Sequence, residues 1–389
     1  MTQPQPPSAA TPAQDLPEHV QVLHLSTVHH SHDNRVRNKE TLGLARAGID
    51  VGLAIQCPTD EAHGAFPVYS LPRPRQRLAR LTGSQFKAWR LLRRLRPGLV
   101  HIHDPELVPM AWLWARTHGA HTIYDAHEDL VKQIETKRYL HPQLKPFARI
   151  AAKVLVGWAD RGMDAIVAAT PEVAAGFTNS NVTVVRNYPW LSDFAAAPQP
   201  VPGRMVYVGD LTEERRLGLM IAATRRVREQ VPTAHLVLAG RARGEAAATL
   251  QREADGEVIQ YLGLLEPTGI PAVVASAQLG LILLAPLPNY VNSLPTKLFE
   301  YMAGGVPFLA SDFEGWRTMF PAGGRFVDSE SEDATVAAMV DLLQDPDGCR
   351  RLGTAGRAHL EQHFTFEEQA EALVALTRSL LPSPVRTAG

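Results

Sequence analysis

Cysteine is nearly absent: Cys57 and Cys349 are the only two, far apart in the chain. Such a pair builds neither a disulfide framework nor a thiolate metal cage, and the scarcity suits a reducing compartment. Excess charge is absent too, since 39 basic and 40 acidic residues leave a formal net charge of −1. No global affinity for polyanions follows, and no nucleic-acid partner is expected. Long apolar runs are missing as well. The nearest, 270–288, is broken by Ser276, Gln278 and prolines, and reads as a helix followed by a strand. Residues 1–19 are rich in Pro, Gln and Ala, without the basic start and apolar core of a secretory leader. They are expected to form a disordered tail on a cytoplasmic protein.

What the chain does have is alternation. Apolar strands are predicted at 20–25, 50–55, 99–103, 122–125, 165–169 and 182–185, with helices at 35–47, 84–96, 107–117 and 171–175 and a long helical region before 165. Strand–helix–strand at this spacing is the unit of a parallel sheet. A Pro-rich stretch at 198–203 reads as a linker. A second series follows, with strands at 205–208, 235–239, 258–261, 279–284 and 306–310, a helix at 217–229 and a last amphipathic helix at 366–381. The fold class is therefore α/β, with two Rossmann-like doubly wound domains at 20–197 and 204–365. Ligands of such sheets lie beyond the carboxyl ends of the strands. For two sheets facing across a cleft, the site is expected in that cleft.

The stretch 292–310 carries the most specific chemistry. It reads as a polar loop with Asn292 and Ser293, a short helix opened by Pro295 and Thr296, a Gly304–Gly305 stop and a buried strand. A helix opening after a loop presents free N–H groups and a positive dipole end, a ready anion site. Lys297 in the first turn adds positive charge at the wrong end for helix stability, which makes sense beside a phosphate. Glu300, one turn on, can accept from a diol such as a ribose. The bland alternative is a direct Lys297–Glu300 surface pair.

These residues resemble the donor-site motif of family-4 glycosyltransferases (glycosyl transferase group 1), retaining enzymes of the GT-B fold. Glu300 matches the second of that motif's two glutamates, and Asn292 departs from the first. Further segments resemble the family in order: His30, Asp33, Arg35, Glu40, Leu44 and Gly48; the runs around His103–Asp104–Glu106 and Asp125–His127–Glu128; and Gly209 with Arg215. Asp210 departs from the pattern, and Arg216 stands where glycine is usual. The resemblance implies that a nucleotide-diphosphate sugar is the donor and that no cofactor or metal is required. It implies that Arg215 and Lys297 meet the diphosphate, that His127 approaches the donor sugar, and that Gly209, Gly263, Asn292, Ser293, Thr296 and Glu300 contribute to the donor site. It also implies that helix 366–381 returns to the first domain. Asp104 and Asp125 read as members of a polar network that holds loops. His24, His29, His30 and His32 lack helical spacing and a completing set of ligands, so no metal site is expected.

Between Arg73 and Arg96 there are nine basic residues and no acid. Phe86, Trp89, Leu92 and Leu95 recur at helical spacing, so the stretch reads as a basic helix with its apolar stripe on the domain's own sheet. Its charge suits an anionic membrane surface, and the enzyme is expected to be peripheral on the inner face. The function read from the chain is transfer of a sugar to a glycan, lipid-linked or small-molecule acceptor in surface polysaccharide or glycoconjugate synthesis. Two rivals remain: a sugar-nucleotide epimerase of the same fold and a non-catalytic sugar-nucleotide-binding protein.

Overall fold

The computed structural model describes residues 16–62, 64–71, 80–131, 134, 143, 145–195, 199–291 and 293–381. The chain forms two compact units, Met1–Asn187 with Glu367–Gly389, and Tyr188–Phe366.

In the first unit the strands are β1 (Val22–His30), β2 (Val51–Gln56), β3 (Glu61–Ala62), β4 (Pro67–Leu71), β5 (Leu99–Ile102), β6 (His121–Ala126), β7 (Ala165–Ala168) and β8 (Val182–Val184). Their order across the sheet is β3-β4-β2-β1-β5-β6-β7-β8. All neighbours run parallel except the edge pair β3–β4. Every residue of β5 and β7 is buried, as strands covered by helices on both faces must be. Two features depart from expectation. β1 runs on to His30, taking in residues expected to be loop, because it rejoins β2 after a register shift, with His30 opposite Gln56. β4 was not anticipated, since prolines flank it; a strand near the sheet edge tolerates them.

The first helix is wound in two styles, π-helical over Val36–Thr41 and α-helical over Leu42–Arg46. The wide turn hydrogen-bonds Glu40 N–H to the Arg35 carbonyl at 2.9 Å. Residues five apart are thereby stacked, and both Arg35 and Glu40 face the interior. Such windings are uncommon and concentrate at functional sites.

The second unit holds β9 (Arg204–Val208), β10 (His235–Ala239), β11 (Ile259–Tyr261), β12 (Leu279–Ile282), β13 (Phe308–Ser311) and β14 (Gly324–Val327), in the order β11-β10-β9-β12-β13-β14 and all parallel. Helix Leu217–Arg228 buries Leu217, Met220, Ile221, Thr224 and Val227. Helix Thr296–Ala303 is pinned by Tyr301, whose hydroxyl donates to the Leu281 carbonyl at 2.9 Å. The Tyr301 ring leaves no room for a side chain at Gly280, where a Cβ would lie 2.6 Å from it. Helix Glu245–Glu253 and strand β14 had no counterpart in the sequence reading.

The units divide at Asn187/Tyr188, ahead of the Pro-rich stretch expected to be the linker. Aromatic packing explains this: Tyr188 packs on Phe299 and Trp190 on Phe366, with ring centroids 5.0 and 4.8 Å apart, all within the second unit. The last helix, Phe366–Leu380, belongs to the first unit from Glu367 on. Gln369 accepts from Arg186 N–H at 2.9 Å, and Arg378 donates to the Ala47 carbonyl at 3.0 Å.

Candidate functional site

Each sheet changes direction once along its strand order, between β1 and β5 in the first unit and between β9 and β12 in the second. Parallel α/β sheets open a crevice at such a point, beyond the strand carboxyl ends.

At the second unit's switch point, β9 ends in Gly209. A Cβ there would lie 3.0 Å from the Tyr207 hydroxyl and 3.5 Å from Arg215 Nη1. The neighbouring strand ends close in: Gly209 N–H donates to the Ala239 carbonyl at 2.9 Å, and Gly240 N–H to the Gly263 carbonyl at 2.7 Å. A Cβ on Gly240 would meet the Gly209 carbonyl oxygen, so only glycine fits. Arg215 Nη1 donates to the Tyr207 hydroxyl at 3.4 Å, and its guanidinium lies 5.9 Å from the Tyr290 ring centre. Among the described residues it has no carboxylate partner. Arg216 has a left-handed backbone, φ 53°, which is the physical reason a glycine would be easier there.

Helix Thr296–Ala303 begins directly after Pro295, with no side-chain cap and no acid in its first turn. Pro295 thus precedes the helix rather than occupying its first turn. Ser293 donates its hydroxyl to the Tyr290 carbonyl at 2.8 Å and accepts from Trp316 Nε1 at 2.9 Å through its own carbonyl. Lys297 Nζ lies 3.2 Å from both Glu300 carboxylate oxygens, so the direct pair does form. Both side chains keep some exposure, 21% and 14%. The helix stop also differs in detail: Gly304 has ordinary helical angles, and the left-handed residue is Gly305, φ 64°. Gly304 is needed for packing, since a Cβ there would lie 2.7 Å from Val274. Asn292 lies outside the described residues.

The first unit's switch point is filled with its own charges. Arg35 grips Asp125 with two hydrogen bonds, 3.1 and 2.8 Å, and pairs with Glu40 at 2.9 Å. Asp125 also receives His127 Nε2 at 2.6 Å and His103 Nδ1 at 3.0 Å. A carboxylate only accepts, so both rings carry hydrogen on those nitrogens. His103 Nε2 must then accept from His24 Nδ1, 2.9 Å away. The tautomers of three histidines are thus set. Burial pushes Asp125 up, but Arg35 first, then His127 and His103, hold it well below the usual carboxylate range. Burial drives Glu40 well above its ordinary value and keeps His24 and His101 neutral. Asp104 accepts from the backbone N–H groups of Thr27 and Val28 and from the Ser26 hydroxyl, tying down the end of β1. Asp104 and Asp125 therefore belong to a polar network, though the segment that Asp104 holds is strand rather than loop.

His127 is the member of this chain that reaches solvent, with 25% of its side chain exposed. Its ring stacks on His29 at 4.9 Å. The sequence did not single out His29 as its companion, because the two are 98 positions apart and no motif spacing joins them. Tyr207 and Tyr290 were likewise missed, being an ordinary strand residue and a residue of the short helix Pro288–Val291 until folding sets them about Arg215. Among the described residues, two groups offer donors within 4.8 Å of one another: His24, Glu40, His101 and His103, and His103, Asp125 and His127. Both nitrogens of His103 are already engaged, and the Arg35 guanidinium already serves both carboxylates.

Residues 34–188 match the family described as glycosyl transferase 4-like domain, and residues 202–345 that described as glycosyl transferases group 1. A GDP-mannose-dependent monoacylated alpha-(1-6)-phosphatidylinositol monomannoside mannosyltransferase of Corynebacterium glutamicum is 31% identical over 156 residues, 38% of this chain and 40% of that protein. The aligned part thus spans well under two thirds of that relative. Among solved structures, sucrose-phosphate synthase from Thermosynechococcus elongatus superposes with a TM-score of 0.66 at 19% identity, covering 92% of this chain and 98% of that one. HepE of Anabaena, in complex with UDP and glucose, gives a TM-score of 0.63 at 15% identity, with 93% and 100% covered. At these identities the likeness is one of fold, two parallel-sheet α/β domains of the GT-B kind. With both halves matched in chain order, the protein belongs to the group 1 glycosyltransferases.

Proposed function

We propose that this group 1 glycosyltransferase moves a sugar from a nucleoside-diphosphate sugar to a glycan or lipid-linked acceptor, with retention at the anomeric carbon and without a metal ion. One observation carries the reading. Arg215, part-buried beside Gly209 at the β9/β12 switch point, lacks a carboxylate among the described residues. A cation so placed suits a diphosphate, which supplies the missing anion. The uncapped opening of helix Thr296–Ala303 adds N–H groups and dipole of the same sign.

In this reading the donor divides the Lys297–Glu300 pair. The ammonium turns to the diphosphate, and the carboxylate accepts from the ribose hydroxyls. Charge developing on the leaving diphosphate is stabilised by Arg215, Lys297 and the helix end. His127 acts at the sugar, its tautomer set by Asp125. Gly209, Gly263, Ser293 and Thr296 shape the donor site, and Asn292 is assigned to it from the sequence. The Corynebacterium relative's acceptor is a mannosylated phosphatidylinositol, which supports an acceptor with a lipid anchor.

The test is calorimetric titration of UDP, GDP and the matching nucleosides. Lys297→Ala is expected to weaken the diphosphates far more than the nucleosides, and Glu300→Gln to weaken both about tenfold. Affinities equal to wild type for both variants would remove the assignment. Product analysis by NMR checks retention, and turnover unchanged by a chelator checks metal independence. An inverted product or a chelator-sensitive rate overturns the respective part.

A further inference from the structure

A soluble helix ordinarily turns its large apolar side chains inward. Helix Lys145–Gly162 of the first unit does the reverse. Its buried residues are Ala152, Ala159 and Asp160. Pointing outward are Phe147, Ile150, Val154 and Trp158, with 71%, 60%, 60% and 37% of their surface exposed. Spacings of three, four and four residues place them in one stripe. The patch continues onto helix Val108–His118, where Leu113 is 46% exposed and Trp112 packs edge-on against Trp158, ring centroids 5.7 Å apart. Exposed apolar surface arranged this way marks an interaction site.

Among the described residues of the two helices, the charges that flank the stripe are basic. Lys153 and Arg161 lie on the same helix, and Arg116 stands over the Trp112 ring at 5.2 Å. The helix has a single acid, Asp160. It is buried and accepts from Thr178 and Asn179 N–H groups at 2.7 and 2.8 Å. Helix Val108–His118 has no acid. By contrast, helix Gln85–Leu95 shows charge without an apolar stripe. It buries Ala88, Leu91, Leu92 and Leu95, and Phe86 is exposed rather than on the sheet. Of its upstream arginines, Arg73, Arg75 and Arg77 lie outside the described residues.

We infer that the outer face of helix Lys145–Gly162 is a docking surface for an anionic lipid bilayer. The stripe would enter the boundary between headgroups and acyl chains, Trp112 and Trp158 would sit at its edge, and the basic residues would meet lipid phosphates. A protein partner fits less well, because among the described residues of this helix the single acid, Asp160, is buried and no carboxylate faces outward. The inference stands apart from the donor site and deepens the proposed function: a lipid-anchored acceptor would be met where it resides.

Co-sedimentation of the full chain with phosphatidylcholine vesicles, with and without phosphatidylglycerol, tests it. Binding to the anionic vesicles alone is expected, falling as salt screens the headgroups. Phe147→Ser with Ile150→Ser is expected to cut partitioning about tenfold or more. Lys153→Glu with Arg161→Glu is expected to abolish the preference for anionic lipid. All four side chains are exposed, so melting temperature and calorimetric UDP or GDP affinity are expected to stay at wild-type values. This separates failure of the docking face from failure of the donor site. Equal binding to both vesicle types, no binding to either, or retained binding by the serine variant overturns the inference. So does a solution dimer that the serine variant disperses, which would make the face a contact between copies.

Discussion

The two sheets share a topology around their switch points, yet the crevices there are furnished in opposite ways. Between β1 and β5, the first unit packs two carboxylates, a guanidinium and several imidazoles against one another, nearly all without solvent contact. Between β9 and β12, the second unit has glycine, a part-buried arginine with a tyrosine hydroxyl for partner, and a part-buried Lys–Glu pair. A polar group buried with its partners rigidifies. One without its counter-charge is prepared for a ligand that supplies it. Similar strand orders thus support a braced region in one unit and a receptive region in the other.

Replacing the arginines one at a time is the sharpest way to break this contrast. Arg35→Met leaves the Asp125 carboxylate buried without its cation, and is expected to destabilise the protein by about 3–5 kcal/mol, measured by denaturant unfolding. A change near zero would mean that the first switch point is not braced by charge. Arg215→Met is expected to change stability by only about 1 kcal/mol, since what is lost is a hydrogen bond to Tyr207 and a contact with the Tyr290 ring. Its effect falls on nucleoside diphosphate affinity, about ten- to a hundredfold weaker by calorimetry. Unfolding without loss of affinity would reverse the two roles.

His127 sharpens the comparison, being the solvent-reaching end of the braced region. His127→Ala is expected to lower turnover while melting temperature and diphosphate affinity hold. A joint fall of all three would assign it to the bracing instead. The smallest effect is expected at Gly305, whose left-handed backbone costs any L side chain about 1–2 kcal/mol. Gly305→Ala should show that loss in unfolding with donor affinity intact, and an unchanged stability would contradict the backbone argument.

Much of this architecture was legible in the chain. The strand predicted at 235–239 is β10 itself, and the donor-side helix was placed to within a residue or two. These are short, fully apolar strands and a helix punctuated by proline and glycine, whose signals are local. Where local signals conflict, the reading failed. β1 continues to His30 because His30 rejoins β2 at Gln56 beyond a register shift, and β4 forms between prolines because β2 pairs with it.

The sequence by itself determined two doubly wound domains, the position of the helix Thr296–Ala303 to within a residue or two, and the residue types able to meet a diphosphate, because periodicity and capping act within a few residues. Only the tertiary structure decided which charges cancel and which remain. Arg35 meets Asp125 across 90 positions, and His127 is given its tautomer by a carboxylate that His103 shares. It also decided that the large side chains of helix Lys145–Gly162 face outward while its alanines face in. A pattern of spacings shows that a stripe exists; the packing of the neighbouring elements sets the side on which it lies.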